Sequence, residues 1–341
     1  MRIAVLRPQV PFARGGAEIF TDTLVDELRA RGHDADLVSV PFKWYPGARV
    51  LTQAFLWRML DLEEADGARI DVVVGTKFPS YVARHPDKRV WLVHQFRQAY
   101  ELDGTDLGQF GTSPEDRALR RQVQELDRIA LGEATRLFAT SANVAGRLDR
   151  STGLTAEVLP HPPQPLPYRS APSEGFVLSA SRLDRAKRID LLLEAAALEP
   201  AVDVVVASDG PDRERLETIA RERGLDGRVR FEGRVGEERL AELYATCSSV
   251  FYAPVDEDFG MGPYEAFLSG KPVITTTDAG GPLDVVHDRA TGLVVPPDPA
   301  EIGKAAAWLR EHAEDAAAFG SNGKAIADEV TWDRAIARLL S

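Results

Sequence analysis

Short apolar runs rich in β-branched residues alternate along this chain with longer stretches whose apolar positions recur every three or four residues. Ile3–Leu6 reads as a strand and Ala17–Arg31 as a helix. Phe20, Leu24 and Leu28 give that helix one apolar face, and Gly32 stops it. Further strands are predicted at Asp36–Val40, Asp71–Val74, Val90–Val93, Arg136–Ala139 and Ala156–Leu159. Helices are predicted near Arg49–Leu60, Pro114–Gly132 and Asn143–Arg150. The segment Pro160–Pro167 then carries five prolines in eight residues, which continues neither a helix nor a central strand. The alternation restarts with strands at Phe176–Ala180, Asp203–Ala207, Val229–Phe231, Val250–Tyr252 and Val273–Thr275. Thr331–Leu340 closes the chain as an amphipathic helix with Trp332, Ile336 and Leu340 on one side.

Strands alternating with helices imply parallel sheets covered by helices on both faces. Two such sets around a stiff linker imply an α/β chain of two Rossmann-like domains facing a cleft. The expected boundaries are 1–165, 166–328 and a terminal helix at 329–341. A length of 341 residues suits two domains.

Bulk composition narrows the partner class. The formal net charge of −12 disfavours a polyanionic nucleic acid. Cys247 is the only cysteine, so no intrachain disulfide forms, and a reducing compartment fits. No stretch approaches the roughly 20 apolar residues of a membrane span, and the apolar start is too short for a signal peptide. The expectation is a cytoplasmic protein. Six histidines and one cysteine lack metal-ligand spacing, so no metal and no cofactor are expected.

The chemistry concentrates where strands end. Glu257 and Glu265 flank Asp258-Phe259-Gly260-Met261-Gly262-Pro263-Tyr264, between a predicted strand and a short helix. In an open α/β sheet, that edge binds ligands. Gly260 and Gly262 uncover the backbone there, and free N–H groups at the helix start favour a phosphate. A carboxylate deeper in the helix accepts from sugar hydroxyls, so the pair suggests a nucleotide-sugar site. Ser181-Arg182-Leu183-Asp184-Arg185-Ala186-Lys187-Arg188 follows the first strand of the second set. Arg182 and Lys187 either clamp a diphosphate or belong to a solvated basic loop. Arg14-Gly15-Gly16-Ala17-Glu18 is either an anion-binding helix start or a tight turn. Asp209 and Gly210 read first as a turn. Gly233-Arg234-Val235 is either a seat for a flat base or a plain connection. His94 ends a strand, where it reaches a ligand or is simply a satisfied polar residue.

These motifs, in this order, resemble the retaining glycosyltransferases of family four, which have the GT-B fold. The resemblance runs through most of the chain and includes Ser269-Gly270-Lys271-Pro272, Gly280-Gly281-Pro282 and Thr331-Trp332-Asp333-Arg334. It implies that Arg182 and Lys187 hold the diphosphate, with Gly15 and the Gly16 N–H beside it. Glu265 would hold the ribose, and Glu257, Phe259, Gly260 and Met261 the donor sugar. Asp209 and Gly210 would border the donor, Arg234 and Val235 would cover the base, and His94 would face the transferred sugar. The terminal helix would return to the first domain. Gly262-Pro263-Tyr264 departs from the aliphatic residues usual before the second glutamate.

The expected activity is metal-independent transfer, with retention, of a sugar from a nucleoside diphosphate to a hydroxyl. The acceptor is a glycan, a lipid-linked sugar or a natural product. The alternatives are a nucleotide-sugar epimerase and a non-catalytic nucleotide-sugar-binding protein. The apolar segment Phe42–Leu60 is acceptor platform, peripheral membrane contact at an inner membrane face, or core.

Overall fold

The computed structural model describes residues 1–12, 15–105 and 108–341. The chain forms two units, Met1–Gln164 with Trp332–Ser341, and Pro165–Thr331. The division thus lies at 164/165 and 331/332, against 165/166 and 328/329 from the sequence.

The first unit runs β1 (Arg2–Gln9), α1 (Gly16–Ala30), β2 (Asp34–Pro41), α2 (Val50–Met59), β3 (Glu64–Ala65), β4 (Ala68–Arg69) and β5 (Val72–Lys77). It continues with β6 (Lys88–His94), α3 (Pro114–Gly132), β7 (Arg136–Ala139), α4 (Ala142–Thr152) and β8 (Glu157–Val158). Six strands make a parallel sheet in the order β2-β1-β5-β6-β7-β8. Successive side chains of a strand point to opposite faces. Accordingly Ile3 and Val5 join one apolar layer, while Ala4 and Leu6 join the other. Val72, Val73 and Val74 of β5 are all fully buried, as expected of a strand covered on both sides.

The second unit runs β9 (Phe176–Ser179), α5 (Ile189–Leu198), β10 (Asp203–Val206), α6 (Arg213–Glu222), β11 (Val229–Phe231), α7 (Glu237–Thr246) and β12 (Ser249–Phe251). Then come α8 (Met261–Leu268), β13 (Val273–Thr276), β14 (Gly292–Val295), α9 (Pro299–Glu311) and α10 (Ala313–Asp328). Its sheet is also parallel, in the order β11-β10-β9-β12-β13-β14. Val177 packs on one face, and Phe176 and Leu178 on the other.

Residues 159–175 contain neither helix nor strand, as the prolines dictate. The last helix, α11 (Trp332–Leu340), packs into the first unit. Trp332 lies 6.3 Å from both Phe20 and Trp91. Asp333 pairs with Arg31, Arg338 pairs with Glu157, and Arg89 donates to the Leu339 carbonyl at 2.6 Å.

Strand ends differ from the sequence reading. β1 and β2 run to Gln9 and Pro41, and β6 runs on to His94. Pairing with a neighbour extends a strand past its apolar run. The β3–β4 hairpin is too short and polar to show periodicity, and β14 likewise escaped the pattern.

Candidate functional site

Numbered from β9, the second sheet has the order 3-2-1-4-5-6, so its connections reverse direction between β9 and β12. In open α/β sheets, ligands generally bind at the strands' carboxyl ends beside such a reversal. The Arg182–Lys187 loop leaves β9, and the Glu257–Gly262 loop leaves β12. The contact of Lys187 with Glu257 joins these two loops beside the reversal.

The two loops are firmly held. Leu183 N–H donates to the Asp209 carbonyl and Asp212 N–H to the Leu183 carbonyl, both at 3.1 Å. A Cβ on Gly210 would stand 2.2 Å from the Leu183 oxygen, so only glycine lets these backbones approach. Arg188 braces the other side. Its guanidinium donates to the carbonyls of Ala253 and Pro254, to Thr276 and to Asp278, each at 2.8 Å. Hydrogen bonding from Arg188 holds the Asp278 carboxyl below its usual range. Glu257 N–H donates to the Ala279 carbonyl, and Gly281 N–H donates to the Glu257 carbonyl, both at 2.8 Å.

Lys187 and Glu257 come into direct contact as a half-buried ion pair. The Lys187 ammonium also lies 3.5 Å from the Tyr252 hydroxyl and 5.5 Å above that ring. Burial works against the ammonium, but Tyr252 and Glu257 outweigh it and raise the Lys187 pKa. Arg182 is exposed, and its side chain has no recorded partner among the described residues. One cation of the pair is therefore engaged, and the other is open to an anion.

Gly260 adopts φ 82° and starts α8, with Phe259 buried and stacked on Tyr264 at 5.0 Å. Met261 is the first helical residue and packs against the core beneath. Glu265 lies one turn further, half-buried. It accepts from the Tyr244 hydroxyl at 2.6 Å, and burial raises its pKa. Asp209 accepts from the Gly210 N–H at 2.8 Å and lies 3.8 Å from Arg213, a turn geometry. Arg234 is exposed, whereas Val235 packs on the core that contains Tyr244 and Phe259.

The first sheet switches direction between β1 and β5. At that edge Gly15 and Gly16 begin α1. The Gly15 N–H donates to Glu18 at 2.9 Å, and Glu18 pairs with Lys77 at 2.7 Å. This carboxylate already occupies part of the positive helix end where the sequence suggested a phosphate. Burial tends to raise the Glu18 pKa, but Lys77 prevails and lowers it. His94 pairs in register with Lys77, and its Nδ1 lies 2.6 Å from the Gln95 carbonyl. Arg14 of the same motif lies outside the described residues. The segment at 42–60 divides: Phe42, Val50, Ala54 and Trp57 are core, and Phe55, Leu56 and Met59 are exposed. Leu51 and Phe55 line a groove of about 710 Å³ with Ala118, Leu126 and Ile129. Among the described residues, no cluster of three or more His, Cys, Asp or Glu side chains is placed to hold a metal, and no helix is long and apolar enough to cross a membrane.

Sequence reasoning missed Tyr252, Tyr244 and the Glu18–Lys77 pair. Tyr252 falls in the strand expected at Val250–Tyr252 but lies just past β12, and that position at a strand's carboxyl end is the available signal.

Residues 167–326 match the family of glycosyl transferases group 1. A D-inositol 3-phosphate glycosyltransferase of Streptomyces avermitilis is 30% identical over 72% of this chain and 58% of its own length. The chain spans 40% to 58% of the length of that relative and two others. Among solved structures, sucrose-phosphate synthase from Thermosynechococcus elongatus superposes with a TM-score of 0.80 at 20% identity. That match covers 99% of this chain and 97% of the other. Anabaena Alr3699/HepE, solved with UDP-glucose, gives 0.71 at 19% identity, covering 100% and 98%. These likenesses establish the fold.

Proposed function

We propose, from the match of residues 167–326 to the glycosyl transferases group 1, a retaining glycosyltransferase that takes a nucleoside diphosphate sugar at the β9/β12 switch point. The observation that carries this reading is the Lys187–Glu257 contact between the loops leaving β9 and β12, with exposed Arg182 on the first of those loops and Glu265 on α8.

The reaction breaks the bond between the anomeric carbon and the diphosphate, and negative charge gathers on the departing oxygens. Arg182 offers a bidentate fork and Lys187 a point charge to that oxyanion. The role a divalent cation plays elsewhere is assigned to these two side chains. Lys187 shares its ammonium between Glu257 and the incoming phosphate. Glu257, relieved of part of that pairing, accepts from a hydroxyl of the donor sugar. Glu265, oriented by Tyr244, accepts from the ribose. The acceptor oxygen attacks the same face of the sugar that the phosphate leaves, and the leaving phosphate takes its proton. Acceptor recognition is assigned to the first unit, where His94 and Gly16 stand at the sheet edge. The acceptor is a hydroxyl of a glycan, a lipid-linked sugar or a small molecule, and the site of action is the cytoplasm.

The test is incubation with UDP-, GDP-, dTDP- and ADP-sugars, with and without a chelator, across a panel of glycan and glycolipid acceptors. Acceptor-dependent release of one nucleoside diphosphate, with the donor's anomeric configuration kept in the product, is expected. Conversion of the sugar without release would instead indicate an epimerase. Binding without any turnover would indicate a non-catalytic module.

A further inference from the structure

Tyr252 follows β12 at the carboxyl edge. Its backbone is fixed by an N–H bond to the Ile274 carbonyl at 3.0 Å and a bond from Thr275 Oγ1 to its own carbonyl at 2.7 Å. The ring is wrapped by the following loop. A Cβ on Gly262 would stand 2.5 Å from Tyr252 Cδ2, and one on Gly260 would stand 2.8 Å from Cε1. Any side chain at either position would displace the ring. Glycine at both positions leaves the space that the Tyr252 ring fills.

The hydroxyl emerges beside the Lys187–Glu257 pair, 3.5 Å from the Lys187 ammonium. That separation is at the long limit for a hydrogen bond. The contact uses only the phenol oxygen as acceptor. The phenol proton has no recorded acceptor among the described residues, although the residue is 9% exposed. Burial, reinforced by Glu257, raises the phenol pKa, so Tyr252 stays a neutral donor at working pH. A buried hydroxyl with an unspent proton, beside a cation assigned to phosphate, suits an anionic oxygen.

We propose that Tyr252 is a further catalytic residue of this site, donating a hydrogen bond to the diphosphate oxygen that gains charge as the sugar leaves. The proposal rests on the donor-site reading above and deepens it. Lys187 supplies the charge, and Tyr252 supplies a directed, uncharged donor whose position is set by two glycines. Such a donor strengthens as charge develops, so it acts on turnover more than on binding.

The test is Tyr252→Phe, which keeps the ring packing. Wild-type protein is first titrated with UDP, GDP, dTDP and ADP, and the best nucleotide's sugar conjugate becomes the probe. Slow release of nucleoside diphosphate from that conjugate into water is then timed, so no acceptor is needed. Tyr252→Phe is expected to keep the wild-type melting temperature, bind the nucleotide within about 3-fold, and lower kcat at least about 10-fold with little change in KM. Unchanged kcat in a variant that folds and binds normally would overturn the proposal. A loss confined to KM would also overturn it, because that is ground-state binding. Failure of the wild type to bind any of the four nucleotides would instead remove the donor-site reading itself. Gly262→Ala serves as a second variant, since it displaces the intact hydroxyl. It should lower kcat as Tyr252→Phe does, and combining the two should add little further loss.

Discussion

Asp127 of α3 is fully buried, and its replacement by asparagine isolates a single titration in the first unit. The carboxyl accepts from Tyr81 at 2.7 Å, from Tyr100 at 2.8 Å and from Gln95 at 3.4 Å. Burial pushes its pKa from 3.8 up to about 7, and these three bonds only partly offset the rise. The folded protein therefore holds this proton more tightly than the unfolded chain does. A raised carboxyl pKa gives stability that is complete below pH 4 and lost as pH climbs through 7. At about 1.36 kcal/mol for each tenfold change in proton affinity, the full span is about 4 kcal/mol. Roughly 2.5 kcal/mol of it falls between pH 5 and pH 8. Urea unfolding of wild type and Asp127→Asn across that range measures the effect. Four of the five tryptophans, Trp44, Trp57, Trp91 and Trp332, lie in the first unit, so their fluorescence reports on it. Relative to Asp127→Asn, wild-type stability should fall with rising pH and level off above 7. A difference that stays flat or grows with pH would refute the reasoning, because the carboxylate would then be accommodated as a charge.

Two further substitutions probe the packing. Gly262→Ala places a methyl 2.5 Å from the Tyr252 ring and should cost about 1–3 kcal/mol of overpacking in the second unit. Coupling to Tyr252→Ala, measured by a double-mutant cycle in urea, should bring back part of that loss. Trp332→Ala removes the aromatic that packs near Phe20 and Trp91. It should destabilise the first unit by about 3–5 kcal/mol in the same fluorescence assay. An effect below about 1 kcal/mol would mean that α11 contributes little to that core.

The alternation of apolar runs with helical periodicity was enough to read two parallel α/β sheets, because each period is set by local geometry. The proline run could be read as the boundary for the same reason. Sheet order was not legible: nothing in Phe176–Ser179 says that β12 rather than β11 will lie beside it. The meeting of Lys187 with Glu257, seventy positions apart, depends on that order and emerged only in three dimensions. Glu18 illustrates a different limit. Its place in a glycine-rich helix start was visible, but its partner Lys77 comes from another strand. Tyr252 was hidden because aromatic residues are ordinary in strands. Its hydroxyl became meaningful only once Gly260 and Gly262 were seen to wrap the ring.

The central claim is that a nucleoside diphosphate sits at the β9/β12 edge, held by Arg182 and Lys187. Calorimetric titration of UDP, GDP, dTDP and ADP into wild type, Arg182→Ala and Lys187→Ala, without divalent metal, tests it most directly. One nucleotide should bind wild type, and each variant should weaken it at least about 10-fold while keeping its melting temperature. Equal affinity in all three proteins, or binding by none of the four nucleotides, would contradict the account.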